Sequence, residues 1–125
     1  MDSILVVDDS SFTRNRLRET LTAGGYRVVE AKNGLEALAK LEQGVYACVL
    51  TDLLMPEMDG FGLLEKMSGM PAAPPAIVLS SDIQKTSRDK CQQLGAKAFL
   101  NKPPKGEELL NVIESVLNRV CITAR

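Results

Sequence analysis

The sequence predicts an α/β fold, a three-layer α/β/α sandwich in which a doubly wound sheet of five parallel strands alternates with five helices. Two observations lead to this prediction: short, continuous apolar runs recur along the chain, and segments of helical length separate them. A strand that reads as a continuous apolar run is buried on both faces, as in a parallel sheet covered by helices. The 125 residues are expected to form a single domain, with a core from about residue 3 to residue 120 and no output domain.

Five apolar runs mark the strands. Each is short, and most lack the polar alternation of a strand that has one face in water. In chain order the predicted strands are Ile4 to Val7, Val28 to Val29, Ala47 to Leu50, Ala76 to Leu79 and Ala98 to Leu100.

The helices are indicated by their ends and by one clear apolar stripe. Asn33 followed by Glu36 predicts an N-cap with its reciprocal partner at the start of the second helix. Glycines that accept the left-handed conformation are expected to end the first four helices, at Gly24-Gly25, Gly44, Gly69 and Gly95. Apolar residues recur at three- and four-residue steps along the final helix, at Leu109, Val112, Ile113, Val116, Leu117 and Val120.

Charge and composition exclude several classes of protein. The chain has 15 Lys plus Arg and 16 Asp plus Glu, so its net charge of -1 favours neither nucleic acid nor an anionic membrane as a direct partner. The apolar runs are far shorter than the roughly 20 residues that span a bilayer. We therefore expect a cytoplasmic protein.

Cysteine and histidine content narrows the chemistry. Cys48, Cys91 and Cys121 are odd in number and form no C-x-x-C pair, which argues against a disulfide framework and a zinc site. Histidine is absent, which excludes a Ser-His triad and a phosphohistidine of the chain's own. Any chemistry must use carboxylates, hydroxyls and lysine.

Polar residues stand at the ends of four of the predicted strands. Asp8 and Asp9 follow the first strand, Asp52 closes the third, Ser80 closes the fourth and Lys102 follows the fifth. In open α/β sheets ligands bind outside the carboxyl ends of the strands. We expect these side chains to converge at one edge of the sheet.

Three carboxylates at one edge need positive charge among them. Two carboxylates about 5 Å apart repel by roughly 3 kcal/mol at an effective dielectric constant of 20. Lys102 is one candidate partner, and a hard divalent cation is another, because oxygen-only ligation favours Mg²⁺ or Mn²⁺. A carboxylate facing a cation and a lysine could attack a phosphoryl group and form an acyl phosphate.

Each of these residues has a simpler structural interpretation. Asp8 and Asp9 precede SSFTR and could cap the first helix, Ser80 could cap the fourth, and Asp52 could be a solvated turn residue. The combination of four strand ends favours function instead. Asp59 is expected to cap the third helix rather than act as a second acceptor.

Four motifs together resemble the receiver domains of two-component response regulators, from Ile4 to about Val120. They are VVDDS after the first strand, TDLLMPEMDG around Asp52, VLSS after the fourth strand and GAKAFLNKP at the fifth. The resemblance implies the flavodoxin-like, CheY-like strand order 2-1-3-4-5. It also implies a phosphoryl group received from a sensor histidine kinase or a phosphotransfer protein.

The resemblance implies a role for each site residue. Asp52 would be the phosphoacceptor, with Ser80 hydrogen-bonded to the phosphoryl group, Lys102 paired with it and the Lys102-Pro103 bond in the cis form. Asp8 and Asp9 would hold Mg²⁺, with Asp9 as a direct ligand. The other ligands would be Asp52 and the backbone carbonyl of Leu54.

The resemblance also implies a switch. On phosphorylation Ser80 would move toward the phosphoryl oxygens, and Phe99 would turn into the space it leaves. The surface formed by the fourth helix, fifth strand and fifth helix would change and bind a downstream protein. The same surface could support a weak dimer, although a monomer is equally compatible with the sequence. Residues 83–93 offer little beyond Ile83 and Cys91 for burial, which fits either a weakly anchored switch helix or an ordinary solvated helix.

Two positions depart from the chemotaxis members of the family. Leu54 is apolar and Asp82 is acidic at the two positions that tune how fast water reaches the acyl phosphate. An apolar Leu54 cannot position an attacking water, which predicts a longer-lived phosphoryl state.

Several functions remain open from sequence alone. A stand-alone response regulator is favoured, which is not a conventional enzyme because it catalyses only its own phosphorylation and dephosphorylation. A phosphorelay intermediate is an alternative. An aspartate-nucleophile phosphatase of the haloacid dehalogenase type would need a second Asp where Leu54 stands, and a degenerate scaffold would have lost acidic or lysine positions that this chain keeps.

Overall fold

The computed structural model describes residues 2–81 and 84–117. Strands and helices alternate through these residues, as the sequence predicts. The strands are β1 (Ser3–Val7), β2 (Arg27–Ala31), β3 (Cys48–Thr51), β4 (Ala76–Ser80) and β5 (Ala98–Asn101). The helices are α1 (Ser11–Ala23), α2 (Gly34–Gln43), α3 (Gly60–Ser68), α4 (Lys85–Gln93) and α5 (Gly106–Val116). Four residues used in the sequence analysis lie outside the described ranges: Asp82, Ile83, Val120 and Cys121.

The five strands form one parallel sheet in the order β2-β1-β3-β4-β5. This result confirms the predicted fold class and strand order. The central strands β3 and β4 are buried along their whole length. The outer strands β2 and β5 have exposed or half-buried positions, because each has a neighbour on one side only.

Alternate residues of each strand point to opposite faces, so the sheet has a core on both sides. On one face, Ile4 and Leu50 pack in a cluster with Leu21 of α1 and Ile113 of α5. On the other face a second buried cluster joins the strands to α2, α3 and α4, and its members include Leu5, Val49, Ala37, Leu63 and Cys91. Because both faces are covered, the central strands are apolar nearly throughout, and their buried polar residues, Thr51 and Ser80, stand at the carboxyl ends.

The helix starts follow the predicted capping chemistry. Asn33 Oδ1 accepts a hydrogen bond of 2.8 Å from the Glu36 N–H, which confirms the N-cap of α2. The reciprocal bond goes one residue further back than the usual pattern, because Glu36 Oε1 accepts from the Lys32 N–H at 3.1 Å.

The helix ends are only partly as predicted. Gly25 and Gly95 adopt left-handed conformations, with φ of 91° and 101°. Gly44 and Gly69 end α2 and α3 at the predicted positions, but neither adopts the left-handed conformation. Gly44 is extended, with φ of -152°, and Gly69 ends α3 in a right-handed turn, with φ of -90°, in which its N–H bonds to a carbonyl three residues back. Residues other than glycine adopt both conformations, so glycine at a helix end did not by itself reveal the backbone geometry.

The final helix carries its apolar stripe as predicted through the described residues. Leu109 and Ile113 are fully buried, and Val112, Val116 and Leu117 pack against the same cluster while partly exposed. None of the helices in the described ranges is long and apolar enough to cross a bilayer.

Candidate functional site

Asp8 and Asp52 are held side by side at the carboxyl edge of the sheet. Val7 and Thr51 are paired in the register of β1 and β3, so the next residues, Asp8 and Asp52, lie level with each other. The Asp52 N–H donates to the Val7 carbonyl at 2.9 Å, and the Asp8 N–H donates to the Ala31 carbonyl at 3.1 Å. The backbone hydrogen bonds of the sheet therefore bring Asp8 and Asp52 next to each other without help from side-chain contacts.

Asp9 completes an acidic cluster with these two residues. Asp8, Asp9 and Asp52 each offer one carboxylate oxygen, and these oxygens all lie within 4.8 Å of one another. Asp8 is buried, Asp52 is half-buried and Asp9 is exposed. The cluster therefore opens to solvent on the Asp9 side.

Lys102 brings the positive charge that the cluster needs. Its Nζ lies 2.5 Å from Asp8 Oδ2 and 3.1 Å from Asp52 Oδ2, and its side chain is only 17% exposed. The Lys102 N–H donates to the Ser80 carbonyl at 3.0 Å, which ties the end of β5 to the end of β4. The Lys102-Pro103 peptide bond is cis, as the resemblance implies.

The pKa values of Asp52 and Lys102 are both raised in this site. Burial raises the pKa of the Asp52 carboxyl and the Asp8 charge adds to the effect, although the Lys102 ammonium and the Leu53 N–H oppose them. Burial would lower the pKa of Lys102, but the hydrogen bond that its ammonium donates to Asp8 and the charges of Asp52 and Asp8 outweigh it and raise that pKa. The Lys102 ammonium is thus paired with two members of a cluster of three acidic residues.

The simpler capping interpretations of Asp8, Asp9 and Ser80 are wrong. The N-cap of α1 is Ser10, whose Oγ accepts from the Thr13 N–H at 3.2 Å. Asp8 Oδ1 instead accepts from the Ser10 N–H at 2.9 Å. Ser80 is the last residue of β4 and is buried, whereas α4 begins five residues later, at Lys85, after its N-cap Gln84. Asp8, Asp9 and Ser80 are therefore not the N-caps of α1 or α4.

The loop after Asp52 is shaped by a close backbone approach. Asp52 Oδ1 accepts from the Leu53 N–H at 2.8 Å, and the Gly60 N–H donates to the Leu53 carbonyl at 2.8 Å. A Cβ at Gly60 would lie 2.3 Å from the Asp52 carbonyl oxygen, which explains why glycine is needed there. Asp59 caps α3 by accepting from the Gly62 N–H at 2.8 Å, as predicted.

Leu54 lies in this loop with its side chain turned to solvent. The residue is 71% exposed beside the acidic cluster, and its neighbour Leu53 is fully buried. The apolar side chain therefore borders the mouth of the site instead of belonging to the core.

Phe99 lies on β5 and contacts α4. The residue is half-buried, and the Arg88 guanidinium carbon stands 5.5 Å from the centre of its ring. The one fully buried residue of α4 is Cys91, and Lys90 Nζ stands 4.4 Å from the centre of the Phe61 ring of α3. α4 is therefore held by one small buried side chain and by cation–π contacts at its surface, in agreement with the weak anchoring predicted from residues 83–93.

The sequence analysis missed one ionic network next to the cluster. Glu30 of β2 accepts from Arg14 Nε at 2.9 Å and from Arg18 Nε at 2.7 Å. Arg14 Nη1 also donates to the Asp8 carbonyl at 2.6 Å. A glutamate inside the apolar stretch RVVEA, facing arginines spaced four apart on the preceding helix, was the available signal.

The donor set fits a hard divalent cation. The acidic cluster presents oxygen atoms from three carboxylates, and one of them, on Asp9, is open to solvent. Mg²⁺ and Mn²⁺ prefer such oxygen ligands and keep several waters, which an accessible site allows. The cluster could therefore hold one such ion.

Comparison with known proteins identifies the family. Residues 4–114 match the response regulator receiver domain family. The chain belongs to this family. It is a CheY-like receiver domain of two-component signalling.

Three known proteins illustrate the range of relatives. The receiver domain is 35% identical to the chemotaxis protein CheY of Bacillus subtilis, covering 92% of this chain and 97% of that protein. It is 38% identical to a protein-glutamate methylesterase/protein-glutamine glutaminase of Rhodospirillum rubrum, but spans only 35% of that protein's length. A structure of the receiver domain of a Pseudomonas aeruginosa sensor histidine kinase, with a magnesium ion in its active site cleft, superposes with a TM-score of 0.87 at 26% identity and covers 94% of this chain and 98% of its own.

These relatives show that similar receiver domains occur both alone and within longer proteins. The methylesterase relative matches over its receiver portion, so its catalytic activity does not extend to this chain by similarity. The match indicates a receiver and no conventional catalytic family.

The raised pKa of Asp52 predicts how the stability of the metal-free receiver domain depends on pH. A carboxyl whose pKa is higher in the folded state releases its proton less readily there, so stability falls as pH rises from the unfolded pKa through the folded pKa. Asp52→Asn should therefore increase the free energy of unfolding by about 1 kcal/mol at pH 7 in EDTA, and the gain should vanish in acid. Urea denaturation across pH 3 to 8 would measure this.

The matched control is Asp89→Asn, which removes a carboxylate from the exposed pair of Lys85 and Asp89 at 3.2 Å. This variant should show little change at any pH. A less stable Asp52→Asn protein at pH 7 would contradict the electrostatic description of the cluster.

Proposed function

We propose that this receiver domain accepts a phosphoryl group on Asp52 in a Mg²⁺-dependent reaction and acts as a response regulator. The observation that carries the proposal is the convergence of Asp8, Asp9 and Asp52, with the ammonium of Lys102 paired to Asp8 and Asp52. The donor would be a sensor histidine kinase or a phosphotransfer protein, since the chain has no histidine of its own. We further propose that the protein acts in the cytoplasm, together with such a donor.

In the proposed reaction a carboxylate oxygen of Asp52 attacks the phosphorus atom of the donor. The new oxygen–phosphorus bond makes Asp52 an acyl phosphate, and the bond from phosphorus to the donor's imidazole nitrogen breaks. The phosphoryl group therefore passes directly from histidine to aspartate, without water. Hydrogen bonds from the Leu53 N–H and Lys102 Nζ hold the two oxygens of Asp52 and orient the carboxylate.

The proposed metal ligands are Asp9, Asp52 and the backbone carbonyl of Leu54, with Asp8 supporting the ion from behind. When bound, Mg²⁺ would offset the negative charge of the carboxylates and of the phosphoryl oxygens. Asp8 is engaged on both oxygens by the Ser10 N–H and by Lys102, which leaves Asp9 as the more accessible carboxylate.

Lys102 has the geometry to follow the phosphoryl group. Its Nζ already bridges Asp8 and Asp52, so it could pair with a phosphoryl oxygen while it remains bonded to Asp8. Ser80 stands at the end of β4, next to the strand that carries Lys102, and its hydroxyl is the proposed donor to another phosphoryl oxygen.

The proposed output is a change at the α4–β5–α5 surface. Movement of Ser80 toward the phosphoryl group would leave space for the Phe99 ring, which now lies against Arg88 of α4. α4 has little buried surface to resist a shift. An unidentified downstream protein would bind this surface, and a weak dimer could use it too.

A groove beside the acceptor offers a place for the phosphodonor protein. It has a volume of about 750 Å³ and lies between α1 and the loop after β5, where Phe12, Arg16, Lys102 and Pro104 line it. Phe12 is 69% exposed, an unusual state for a large aromatic side chain on a helix so close to a reactive site. A donor that seats on Phe12 would present its phosphohistidine from the open side of the acidic cluster.

Phosphorylation itself is tested with a small donor. Acetyl phosphate with Mg²⁺ should add one phosphoryl group to the receiver domain, seen by intact-mass spectrometry, and EDTA or Asp52→Asn should abolish the adduct. Asp59→Asn is the matched control, because an asparagine keeps the α3 cap and leaves Asp52 in place.

The same experiment separates the alternatives. Release of phosphate without an adduct would indicate an aspartate-nucleophile phosphatase, and no reaction would indicate a scaffold that has lost phosphorylation. A stable adduct that passes to a histidine phosphotransfer domain on mixing would favour the phosphorelay intermediate over a terminal regulator.

Leu54 should lengthen the life of the phosphorylated state. Its exposed apolar side chain at the mouth of the site cannot hydrogen-bond a water molecule near the phosphorus atom. Leu54→Asn would supply an amide that can orient such a water, so the phosphoryl group should be lost several-fold faster in a phosphate-release assay. Val45→Asn makes the same chemical change at a 95% exposed position far from the carboxyl edge and should leave the rate unchanged. Equal or slower loss from Leu54→Asn would refute this role.

A further inference from the structure

The hydrogen bonds of Asp8 show one contact that the proposed mechanism does not use. The Asp8 N–H donates to the Ala31 carbonyl of the neighbouring strand. Its Oδ1 accepts from the Ser10 N–H, and its Oδ2 accepts from Lys102 Nζ. The remaining polar atom, the carbonyl oxygen, accepts from Arg14 Nη1 at 2.6 Å. A charged side chain is therefore directed at the backbone between the two adjacent aspartates.

This carbonyl belongs to the peptide group that joins Asp8 to Asp9. A peptide group is planar, so fixing its oxygen also fixes the direction of the Asp9 N–H and the position of the Asp9 Cα. Asp9 is exposed, and its carboxylate has less support from packing than the buried Asp8. The orientation of the peptide plane is therefore a major determinant of where the Asp9 carboxylate points.

Arg14 is itself held in a fixed geometry. Its Nε donates to Glu30 Oε1 at 2.9 Å while Nη1 reaches the Asp8 carbonyl, so the two contacts use different edges of one rigid guanidinium group. The Arg14 side chain is 17% exposed, and Glu30 stands on β2, the strand paired with β1. The contact with Asp8 is thus built on the sheet.

Arg18 shows what an ordinary structural ion pair looks like at the same place. It donates through Nε to Glu30 Oε2 at 2.7 Å, and its side chain is 43% exposed. Arg18 ties α1 to β2 through Glu30, whereas Arg14 makes that tie and also reaches the Asp8 carbonyl. Comparison of the two arginines therefore distinguishes the effect of tying α1 to β2 from the effect of the contact with the Asp8 carbonyl.

We propose that Arg14, anchored by Glu30, is a positioning residue that sets the peptide plane between Asp8 and Asp9 and so prepares the Asp9 carboxylate to bind the divalent cation. This inference rests on the proposed metal site. It assigns Arg14 no contact with the phosphoryl group or with the ion.

The test compares Arg14→Gln with Arg18→Gln in the full chain. Mg²⁺ binding is measured by calorimetry, and amide hydrogen exchange at Asp9 and Ser10 is measured by NMR in EDTA. Arg14→Gln should weaken Mg²⁺ binding about tenfold, the scale found for residues that support metal ligands, and should speed exchange at these amides without metal. Arg18→Gln should change Mg²⁺ affinity by less than about twofold, even if it lowers the melting temperature equally.

Arg14→Lys keeps the charge but cannot make two directed contacts from one rigid group, so its Mg²⁺ affinity should also fall. This variant keeps the test decisive if Arg14→Gln does not fold. Equal Mg²⁺ affinity and equal amide exchange in the Arg14 and Arg18 variants would overturn the inference and leave Arg14 as a structural ion pair. If the unchanged protein does not bind Mg²⁺ at all, the proposed function fails as well, so the two failures are distinguishable.

Discussion

The ammonium of Lys102 between the carboxylates of Asp8 and Asp52 is the interaction on which the site depends. Without it, acidic residues at the ends of neighbouring strands would repel one another at the edge of a buried sheet. Lys102 is 94 residues from Asp8 in sequence, and it reaches the cluster because β5 runs parallel to the strands that carry the acids. The fold thus assembles at one edge charges that the sequence keeps far apart.

One ammonium group offsets only part of the negative charge of the three carboxylates in the cluster. The pKa of Asp52 is raised, first by burial, although the Lys102 ammonium beside it opposes the shift. A site with one lysine and three carboxylates could still attract a divalent cation, which the proposed phosphorylation would use. Arg14 acts from the opposite side of Asp8, on its backbone, so the acidic loop is held by one cation at its side chain and by another at its peptide group.

Much of the fold could be predicted from the sequence because its main determinants are local. The run Ile4 to Val7 is buried throughout, which is what a continuous apolar strand between two helical layers requires. The convergence of Asp8, Asp52 and Lys102 followed from their positions at strand ends, and the strand order came from a family resemblance rather than from the residues. Gly44 and Gly69 end their helices as predicted but without the left-handed conformation, because residue type does not fix the backbone angles of a helix end.

The contacts that escaped prediction depend on three-dimensional geometry that spacing does not encode. Nothing in the order of residues shows that the Arg14 side chain turns to the Asp8 carbonyl, or that Gly60 is needed because a Cβ there would clash with the Asp52 carbonyl oxygen. Ser80 looked like a helix cap because the start of α4 could not be located from its sequence, which has few apolar residues. These are features of packing, which only coordinates reveal.

A crystal structure of the protein with Mn²⁺, using the anomalous signal to locate the ion, tests the central claim most directly. The account predicts a single site between the Asp9 and Asp52 carboxylates, with Lys102 still bonded to Asp8 and the Leu54 carbonyl turned toward the ion. An ion bound elsewhere, or an empty acidic cluster at saturating Mn²⁺ with its carboxylates turned apart, would contradict it.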